Sequence, residues 1–116
     1  MRELEKRALG LLGLAARARR LTLGVPLTLA ALKDAAPDKT PRVVIEASDT
    51  SENTHKRVCD RIKYYDVFHR QIAVSGEELA TAVGKRGGTL GAVGVTEPHL
   101  AAAVIALWQE EKEQIN

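Results

Sequence analysis

The stretch RVVIEASDTSENTHKRVCDRIKYYDV, residues 42–67, predicts a buried strand that runs directly into an amphipathic helix. A short β-branched run is typical of a strand that is covered on both faces of its sheet, and here it comprises Val43, Val44 and Ile45. The helix that follows has an inner face at helical spacing, made by Thr54, Val58, Ile62 and Tyr65. We therefore expect a strand–helix unit around a central strand.

A polar hinge joins the two halves of this unit. Residues 48–51 are Ser, Asp, Thr and Ser, whose side chains accept hydrogen bonds from free backbone N–H groups at the start of a helix. Asp49 and Glu52 have the spacing of a capping box, so we expect the helix to begin near Thr50. Open α/β sheets usually bind ligands at the carboxyl ends of their strands. The hinge is therefore a candidate ligand site.

Helices and strands alternate along the rest of the chain. Before the central unit, the pattern predicts a helix over residues 3–18, a strand over 21–23 and a helix from Pro26 to about Lys33. After it, the pattern predicts a strand over 68–74, a helix over 76–83 that Gly84 closes, a strand over 90–95 and a final helix that begins at 96–98. We expect the charged tail after Gln109 to fray. This order predicts a single α/β domain over residues 1–116, with helices on both faces of a four-stranded sheet.

Charge is distributed unevenly along the chain, although the net charge is only +2. Residues 1–34 contain seven Lys or Arg and three acids, whereas residues 96–116 contain one Lys and four acids. The basic first third favours an anionic partner, but an evenly solvated surface would tolerate the same counts. The chain has one cysteine and no apolar run long enough for a signal segment or a membrane span. We therefore expect a cytoplasmic protein with no membrane partner.

Two basic segments are candidate phosphate-binding sites. The first helix ends in Arg17, Arg19 and Arg20, which either complement the negative end of the helix dipole or contact an anion. The segment GKRGGTLGAVG, residues 84–94, has neither the Walker spacing nor the dinucleotide fingerprint, and it leads into a strand instead of a helix. It is therefore either a simple turn or a surface whose backbone contacts a ligand.

No set of residues has the spacing of a catalytic site. Ser48 and Asp49 are better explained as helix caps than as members of a Ser-His-Asp triad. His55 and Cys59 lie on one helical face, but two ligands do not make a metal site. The four aromatic residues are too few for the stacking platforms of an RNA-recognition motif or an OB fold. We therefore predict no enzyme activity, no cofactor and no metal.

Three segments together resemble one protein family along nearly the whole chain. They are LLGLAARARRLTLG at residues 11–24, VVIEASDTSENTHKRVCDRIKYYDV at 43–67 and LATAVGKRGGTLGAVGVTEPHLAAAV at 79–104. The most specific matches are the D-x-S-x-N-T run, the pair Tyr64 and Tyr65, and the A-x-G-K run that ends at Lys85. The segments are similar to bacterial YlxQ-type proteins, which belong to the L-seven-Ae/L-thirty-e superfamily of ribosomal, kink-turn RNA-binding proteins. The resemblance implies an α-β-α sandwich with a four-stranded mixed sheet, and ribosomal or other structured RNA as the partner.

The resemblance also implies that RNA binds three loops at one end of the sandwich. In this sequence these loops are residues 19–27, 48–50 and 84–89. Basic side chains there would neutralise phosphates, glycines would allow close approach, and an apolar side chain would pack against an extruded base. The candidate RNA-binding residues are Arg17, Arg19, Arg20, Gly24, Val25, Pro26, Asp49, Lys85, Arg86 and Gly87.

One departure from the superfamily concerns base recognition. Its kink-turn readers carry G-x-N-E-x-x-K, whose polar side chains contact the sheared G·A pairs, whereas here Gly24 is followed by Val25, Pro26 and Leu27 and the lysine position is Ala30. Phosphate contacts position RNA without specifying its sequence. Two hypotheses remain open, an RNA-binding protein and a protein-interaction module that uses residues 25–27. A third, a small enzyme acting at Asp49, lacks a nucleophile or base.

Overall fold

The structure, a computed structural model, describes the backbone of residues 1–115 and the side chains of residues 1–111. Five helices alternate with four strands in the predicted order: α1 Glu3–Arg17, β1 Leu21–Leu23, α2 Val25–Ala31, β2 Val43–Glu46, α3 Glu52–Tyr65, β3 Phe68–Gln71, α4 Gly76–Ala82, β4 Ala92–Val95 and α5 Pro98–Ile115. None of these helices combines the length and the apolar character that crossing a membrane requires. Because α5 continues past Gln109 to Ile115, fraying of the charged tail stays a prediction, and it lies in part outside the described residues.

The four strands form one mixed sheet in the order β1-β4-β2-β3. Strand β4 is antiparallel to both of its neighbours, β1 and β2, whereas β3 is parallel to β2. The predicted mixed sheet with β2 in its interior is therefore confirmed. The carboxyl ends of β1, β2 and β3 and the amino end of β4 all lie at the same end of the sheet.

Alternating side chains of β2 fill two separate cores. Val43 and Ile45 pack in the larger core against residues of α1, α4 and α5, whereas Val44 packs in the smaller core against α2 and α3. Successive residues of a strand point to opposite faces of a sheet, so each helix layer covers one face. The predicted three-layer sandwich is confirmed by this arrangement.

The start of α3 differs from the prediction. The helix begins at Glu52, and its N-cap is Ser51, whose hydroxyl accepts a hydrogen bond from Thr54 N–H at 3.1 Å. Asp49 therefore does not form a capping box with Glu52, because its side chain binds a different helix. The predicted inner face is confirmed, since Val58 and Ile62 are buried in the smaller core.

The boundaries of three further elements differ from the prediction by one or more residues. Helix α2 begins at Val25 and ends at Ala31, so Pro26 is not its first residue. Strand β3 ends at Gln71 instead of Val74, because it pairs only with the four residues of β2. Strand β4 begins at Ala92 instead of Leu90, because β2 and β1 offer partners only from that residue onward.

Both ends of α4 follow the prediction closely. Ser75 and Glu78 form the capping box at its start. At its end Gly84 has φ +86°, its N–H binds Thr81 O, and Lys85 N–H binds Ala80 O at 2.8 Å. This pair of bonds is the Schellman motif, which fixes the direction of the chain as it leaves the helix. Lys85 is thus held by its backbone while its side chain stays exposed.

The first turn of α5 is capped by Glu97, whose carboxylate accepts a hydrogen bond from Leu100 N–H at 2.6 Å. This bond, followed by that from His99 N–H, lowers the pKa of the Glu97 carboxyl from 4.5 to about 2. A lowered pKa in the folded state stabilises the fold above the unfolded pKa, and this contribution is lost as pH falls through the folded value. We expect Glu97→Gln to lower the thermal unfolding midpoint at neutral pH, and the difference from wild type to close between about pH 4.5 and about pH 2. A difference that stays constant down to the lower pH would contradict this account.

Candidate nucleic-acid interface

Three chain segments meet at the end of the sheet where β1 and β2 finish and β4 starts. We call the residues that meet there the loop cluster, comprising Gly24, Val25, Asp49, Thr50, Thr89, Leu90 and Gly91. Backbone hydrogen bonds hold it together: Gly24 N–H binds Ala92 O at 2.9 Å, Ala47 N–H binds Gly91 O at 2.8 Å, and Leu90 N–H binds Gly76 O at 3.0 Å. Backbone hydrogen bonds therefore hold the chain at the start of β4 to the loop before α2, to the loop after β2 and to the first residue of α4.

Gly91 lies at the centre of the loop cluster. A Cβ atom there would be 2.9 Å from Val25 Cγ2 and 3.2 Å from Thr50 Cγ2, which is closer than ordinary van der Waals contact. The three segments can approach this closely only because Gly91 has no side chain. The convergence of the loop before α2, the loop after β2 and the loop before β4 therefore depends on glycine at position 91.

Asp49 connects the loop after β2 to α4. Its Oδ1 accepts a hydrogen bond from Gly76 N–H, the first residue of α4, at 2.9 Å. This N–H belongs to the first turn of the helix, which has no acceptor within the helix itself, and a carboxylate is favourable there. Asp49 therefore acts as a structural cap from a distant part of the chain, and this bond orients one of its two oxygens.

A fully buried glutamate binds the loop that follows β2. The side chain of Glu46, at the end of β2, is 0% exposed. Its carboxylate accepts a hydrogen bond from the Thr50 hydroxyl at 2.5 Å, and it lies 2.9 Å from His55 Nδ1 and 2.9 Å from His69 Nε2. A carboxylate only accepts hydrogen bonds, so the nitrogen that faces it in each imidazole carries a proton. We call Glu46, Thr50, His55 and His69 the Glu46 network.

Cys59 lies beside this network but does not extend it into a reactive site. Its Sγ is 3.5 Å from His55 Nε2. Burial, followed by the nearby charges of Glu46 and Asp60, raises the pKa of the Cys59 thiol, so the thiol stays protonated and is a poor nucleophile. Among the described residues, no three His, Cys, Asp or Glu side chains are arranged to hold a metal ion.

Two of the predicted arginines lie away from the loop cluster. Arg20 precedes β1, and its guanidinium binds Thr96 Oγ1 and Thr96 O, each at 3.3 Å, at the opposite end of β4. Gly24 lies four positions after Arg20 along extended chain, a distance of about 13 Å. The expectation that Arg19 and Arg20 share one end of the sandwich with Gly24 is therefore wrong, because β1 runs between them.

Arg19 has a structural explanation of its own. Its φ is +58°, and the N–H groups of Arg19 and Arg20 bind Ala16 O and Ala15 O. This is the Schellman motif at the end of α1, with an arginine at the position that usually holds glycine. The backbone at Arg19 thus turns the chain from α1 into β1.

The remaining basic candidates, Arg17, Lys85 and Arg86, are exposed. Arg17 lines a cleft between α1 and α4 together with Gly84. Lys85 and Arg86 follow directly in the loop that leads to Thr89, and Gly87 has φ +87° in the same loop. Within the described side chains, Arg17, Lys85 and Arg86 take part in no salt bridge. Their charges are therefore available to an anion.

The apolar residues of the predicted site do not all face solvent. Val25 is only 7% exposed and packs in the smaller core, so little of its side chain is open to an extruded base or a partner protein, and its contact with either stays a prediction. Pro26 is exposed, and Leu27 is 63% exposed. Pro26 and Leu27 are thus the apolar side chains that the start of α2 presents to solvent.

Two curated relatives resemble the chain over most of its length. An RNA-binding protein YlxQ from Bacillus subtilis is 33% identical over 97 residues, which cover 84% of this chain and 90% of the relative. An RNA-binding protein YlxQ from Enterococcus faecium is 36% identical over 80 residues, which cover 69% of this chain and 73% of the relative. The chain belongs to the YlxQ family. No protein-family model matches it.

Solved structures support the fold of this YlxQ-family member. A protein of unknown function from Bacillus halodurans superposes with a TM-score of 0.75 at 29% identity, covering 87% of this chain and 95% of the other. A 15.5 kD RNA-binding protein from Giardia lamblia superposes with a TM-score of 0.70 over 92% of both chains, and its 16% identity supports a shared fold alone. The resemblance to YlxQ-type proteins is confirmed by the two YlxQ relatives.

The Glu46 network of this YlxQ-family chain was not predicted from the sequence. An acidic residue directly after the run Val43, Val44 and Ile45 is unusual for a strand that is buried throughout. The acidic residue at that position indicates a buried hydrogen-bond network, since a buried carboxylate needs hydrogen-bond donors. His69, which lies 23 residues away along the chain, could not be assigned to it without the parallel pairing of β2 with β3.

Proposed function

We propose that this protein is a non-enzymatic, cytoplasmic RNA-binding protein that docks structured RNA at the loop cluster. The observation that carries the proposal is the convergence of three chain segments on Gly91, which creates a compact end of the sandwich made largely of backbone and short side chains. RNA backbone can approach such a surface closely. The names of the two YlxQ relatives, both described as RNA-binding proteins, support the same conclusion.

In this proposal Lys85 and Arg86, in the loop that leads to the loop cluster, neutralise phosphates, and Arg17, at the end of α1 across a cleft from Gly84, neutralises a phosphate further along the RNA. All three are exposed and free of salt bridges within the described side chains, so binding an anion breaks no existing ion pair. Each phosphate that they neutralise releases counterions, which supplies affinity at low salt. Arg19 and Arg20 contribute only to the general positive potential, because they lie beyond the other end of β1.

We expect the protein to recognise RNA bases less strongly than the sugar-phosphate backbone. Pro26 and Leu27 offer no hydrogen-bonding side chain beside Gly24, and Asp49 already accepts a bond from Gly76 N–H. Thr89, an exposed residue whose hydroxyl lies beside Gly76, is a remaining polar side chain at the cluster. We therefore propose that the protein recognises the shape and phosphates of a folded RNA, such as a kink-turn or a ribosomal helix junction, more than its sequence.

The test is a gel-shift comparison of a standard kink-turn, the same RNA with its G·A pairs disrupted, and an unrelated hairpin. Preference for the intact kink-turn would establish specificity for that motif despite Pro26 and Leu27. Equal binding of all three would establish a binder of RNA backbone without kink-turn specificity. Failure to shift any of them at low salt would contradict RNA binding.

We expect the double substitution Lys85→Ala and Arg86→Ala to weaken RNA binding by about tenfold or more at physiological salt, because two phosphate contacts are lost. The loss should be similar for all bound RNAs, and the slope of log affinity against log salt should fall by about 1.5. Titrations at several salt concentrations measure both quantities.

The matched control is the double substitution Lys6→Ala and Lys39→Ala. It removes the same charge from exposed positions in α1 and in the loop before β2. If the control weakens binding as much as the Lys85 and Arg86 substitutions do, the effect comes from net charge and not from the loop cluster.

A second candidate function is supported by Leu27, which is 63% exposed next to the loop cluster. An exposed leucine beside an exposed proline suits a small apolar contact with a partner protein. This alternative predicts co-purification of a partner that survives ribonuclease and is lost on Leu27→Ser. A partner that ribonuclease releases would instead support RNA binding.

A further inference from the structure

The solvent face of α3 carries a line of polar and basic residues that ends in a tyrosine. We call Asn53, Arg57, Asp60, Arg61 and Tyr64 the α3 strip. All five are exposed, and their helical spacing places them opposite the buried Val58 and Ile62. The strip is unrelated to the core and to the Glu46 network, so its composition needs another explanation.

Tyr64 is the most distinctive residue of the strip. It is 80% exposed in a chain that has only four Phe, Trp or Tyr residues. Its ring packs edge-on against Tyr65, with 4.9 Å between the ring centroids and an interplanar angle of 78°. Tyr65 is in turn packed against the smaller core. The contact supports Tyr64 from one side while leaving most of its ring open to solvent.

The charges around Tyr64 favour an anionic ligand. Arg57, Arg61 and Tyr64 follow one another along the helix at intervals of four and three residues. Lys33 and Arg61 line the same surface recess as the two tyrosines. Within the described side chains, Lys33, Arg57 and Arg61 form no salt bridge, so Asp60 does not neutralise them by direct pairing.

The strip leads away from the loop cluster. Helix α3 starts at Glu52, two residues after Thr50 of the loop cluster, and Asn53 lies in its first turn. From Asn53 to Tyr64 the helix rises by about 16 Å. A nucleic-acid strand that leaves the loop cluster along α3 therefore passes two arginines before it reaches the ring of Tyr64.

We propose that the α3 strip binds an unpaired stretch of RNA that flanks the structured element held at the loop cluster. Arg57 and Arg61 contact its phosphates, and Tyr64 stacks on one of its bases. The inference rests on the proposed function and deepens it, because it names a second contact surface and the kind of RNA that fits it. The stacking is independent of sequence, since every base offers an aromatic face.

The experiment compares a structured hairpin, the same hairpin with a short oligouridine tail, and oligouridine alone. We expect the tail to increase the affinity of wild type. Tyr64→Ala should weaken binding of the tailed hairpin by about tenfold and leave binding of the untailed hairpin unchanged. Tyr64→Phe should behave as wild type because it keeps the ring. Oligouridine alone should quench tyrosine fluorescence at low salt in wild type more than in Tyr64→Ala.

Charge variants on the same helix complete the test. Arg57→Ala with Arg61→Ala should reduce the gain from the tail, whereas Lys56→Ala with Lys63→Ala, which removes equal charge from exposed positions beside the strip, should reduce it far less. Asp60→Asn should increase the gain in affinity that the tail provides.

These variants also separate failure of the strip from failure of the proposed function. A tail that adds no affinity, or a gain that survives Tyr64→Ala, overturns the α3 strip while RNA binding at the loop cluster stands. Binding of the tail and of oligouridine without any binding of the untailed hairpin overturns docking at the loop cluster and supports the strip. Ribonuclease-resistant capture of a protein through Tyr64, with no effect of the tail, overturns the RNA assignment of this face.

Discussion

Replacing Glu46 with alanine should lower the free energy of unfolding by about 3 kcal/mol, because it removes the acceptor from a buried hydrogen-bond network. The Thr50 hydroxyl, His55 Nδ1 and His69 Nε2 all lose the carboxylate that they contact at 2.5–2.9 Å. The side chain is also fully buried, so its removal leaves a cavity under the loop after β2. Urea denaturation of both proteins measures the difference.

Glu46→Gln is the matched control for this prediction. It keeps the size of the side chain and one acceptor oxygen, so the loss should be smaller, about 1–2 kcal/mol. Thr50→Val tests the single bond to the loop and should cost about 1 kcal/mol. If Glu46→Ala is as stable as wild type, the network contributes nothing to folding, and its role in holding Thr50 at the loop cluster falls as well.

The order of the elements could be predicted because its signals are local. The β-branched run of β2, the capping box at Ser75 and the glycine after α4 each act within a few residues, and each is confirmed. Register and boundaries needed the partner strands. Nothing in residues 72–74 by itself ends β3 at Gln71, since the limit is the four-residue length of β2.

The candidate site was harder to predict because its contacts join distant residues. Asp49 has a polar side chain in the right place to cap α3, yet its hydrogen-bond partner is Gly76, 27 residues away. Arg20 lies in a basic run with Arg19, yet its guanidinium binds Thr96, 76 residues away. Val25 follows a loop glycine, yet it is buried because α2 starts one residue earlier than its proline suggests. In each case the residue type was informative, and the tertiary partner decided its role.

Replacing Gly91 with alanine should disturb the loop cluster at the point where its three segments meet. The new Cβ would lie 2.9 Å from Val25 Cγ2 and 3.2 Å from Thr50 Cγ2, and Val25 is buried and β-branched, so it cannot rotate away freely. We expect a loss of about 1–3 kcal/mol in the free energy of unfolding. RNA affinity should fall roughly tenfold at temperatures where the variant is folded, because two displaced side chains must be reordered on binding.

Gly10→Ala is the control for adding a methyl group. Gly10 lies inside α1, and a Cβ there meets no atom within 4 Å. Alanine is the better helix former, so this variant should gain about 0.5–1 kcal/mol and bind RNA as wild type does. A similar loss of stability in both variants would mean that the crowding at Gly91 is not the cause.

A double-mutant cycle with Val25→Ala isolates the contact itself. Val25→Ala alone loses buried apolar surface, but in its presence the Cβ of Gly91→Ala no longer meets Cγ2. The cost of Gly91→Ala should therefore be smaller in the Val25→Ala background by about 1 kcal/mol, a coupling larger than distant sites show. If the costs of Gly91→Ala and Val25→Ala are additive, the strain in Gly91→Ala does not come from the contact with Val25, and the contact with Thr50 is the next one to test. Recovery of RNA affinity in the double variant would show that the spacing of the three segments, and not the side chain of Val25, is what RNA requires.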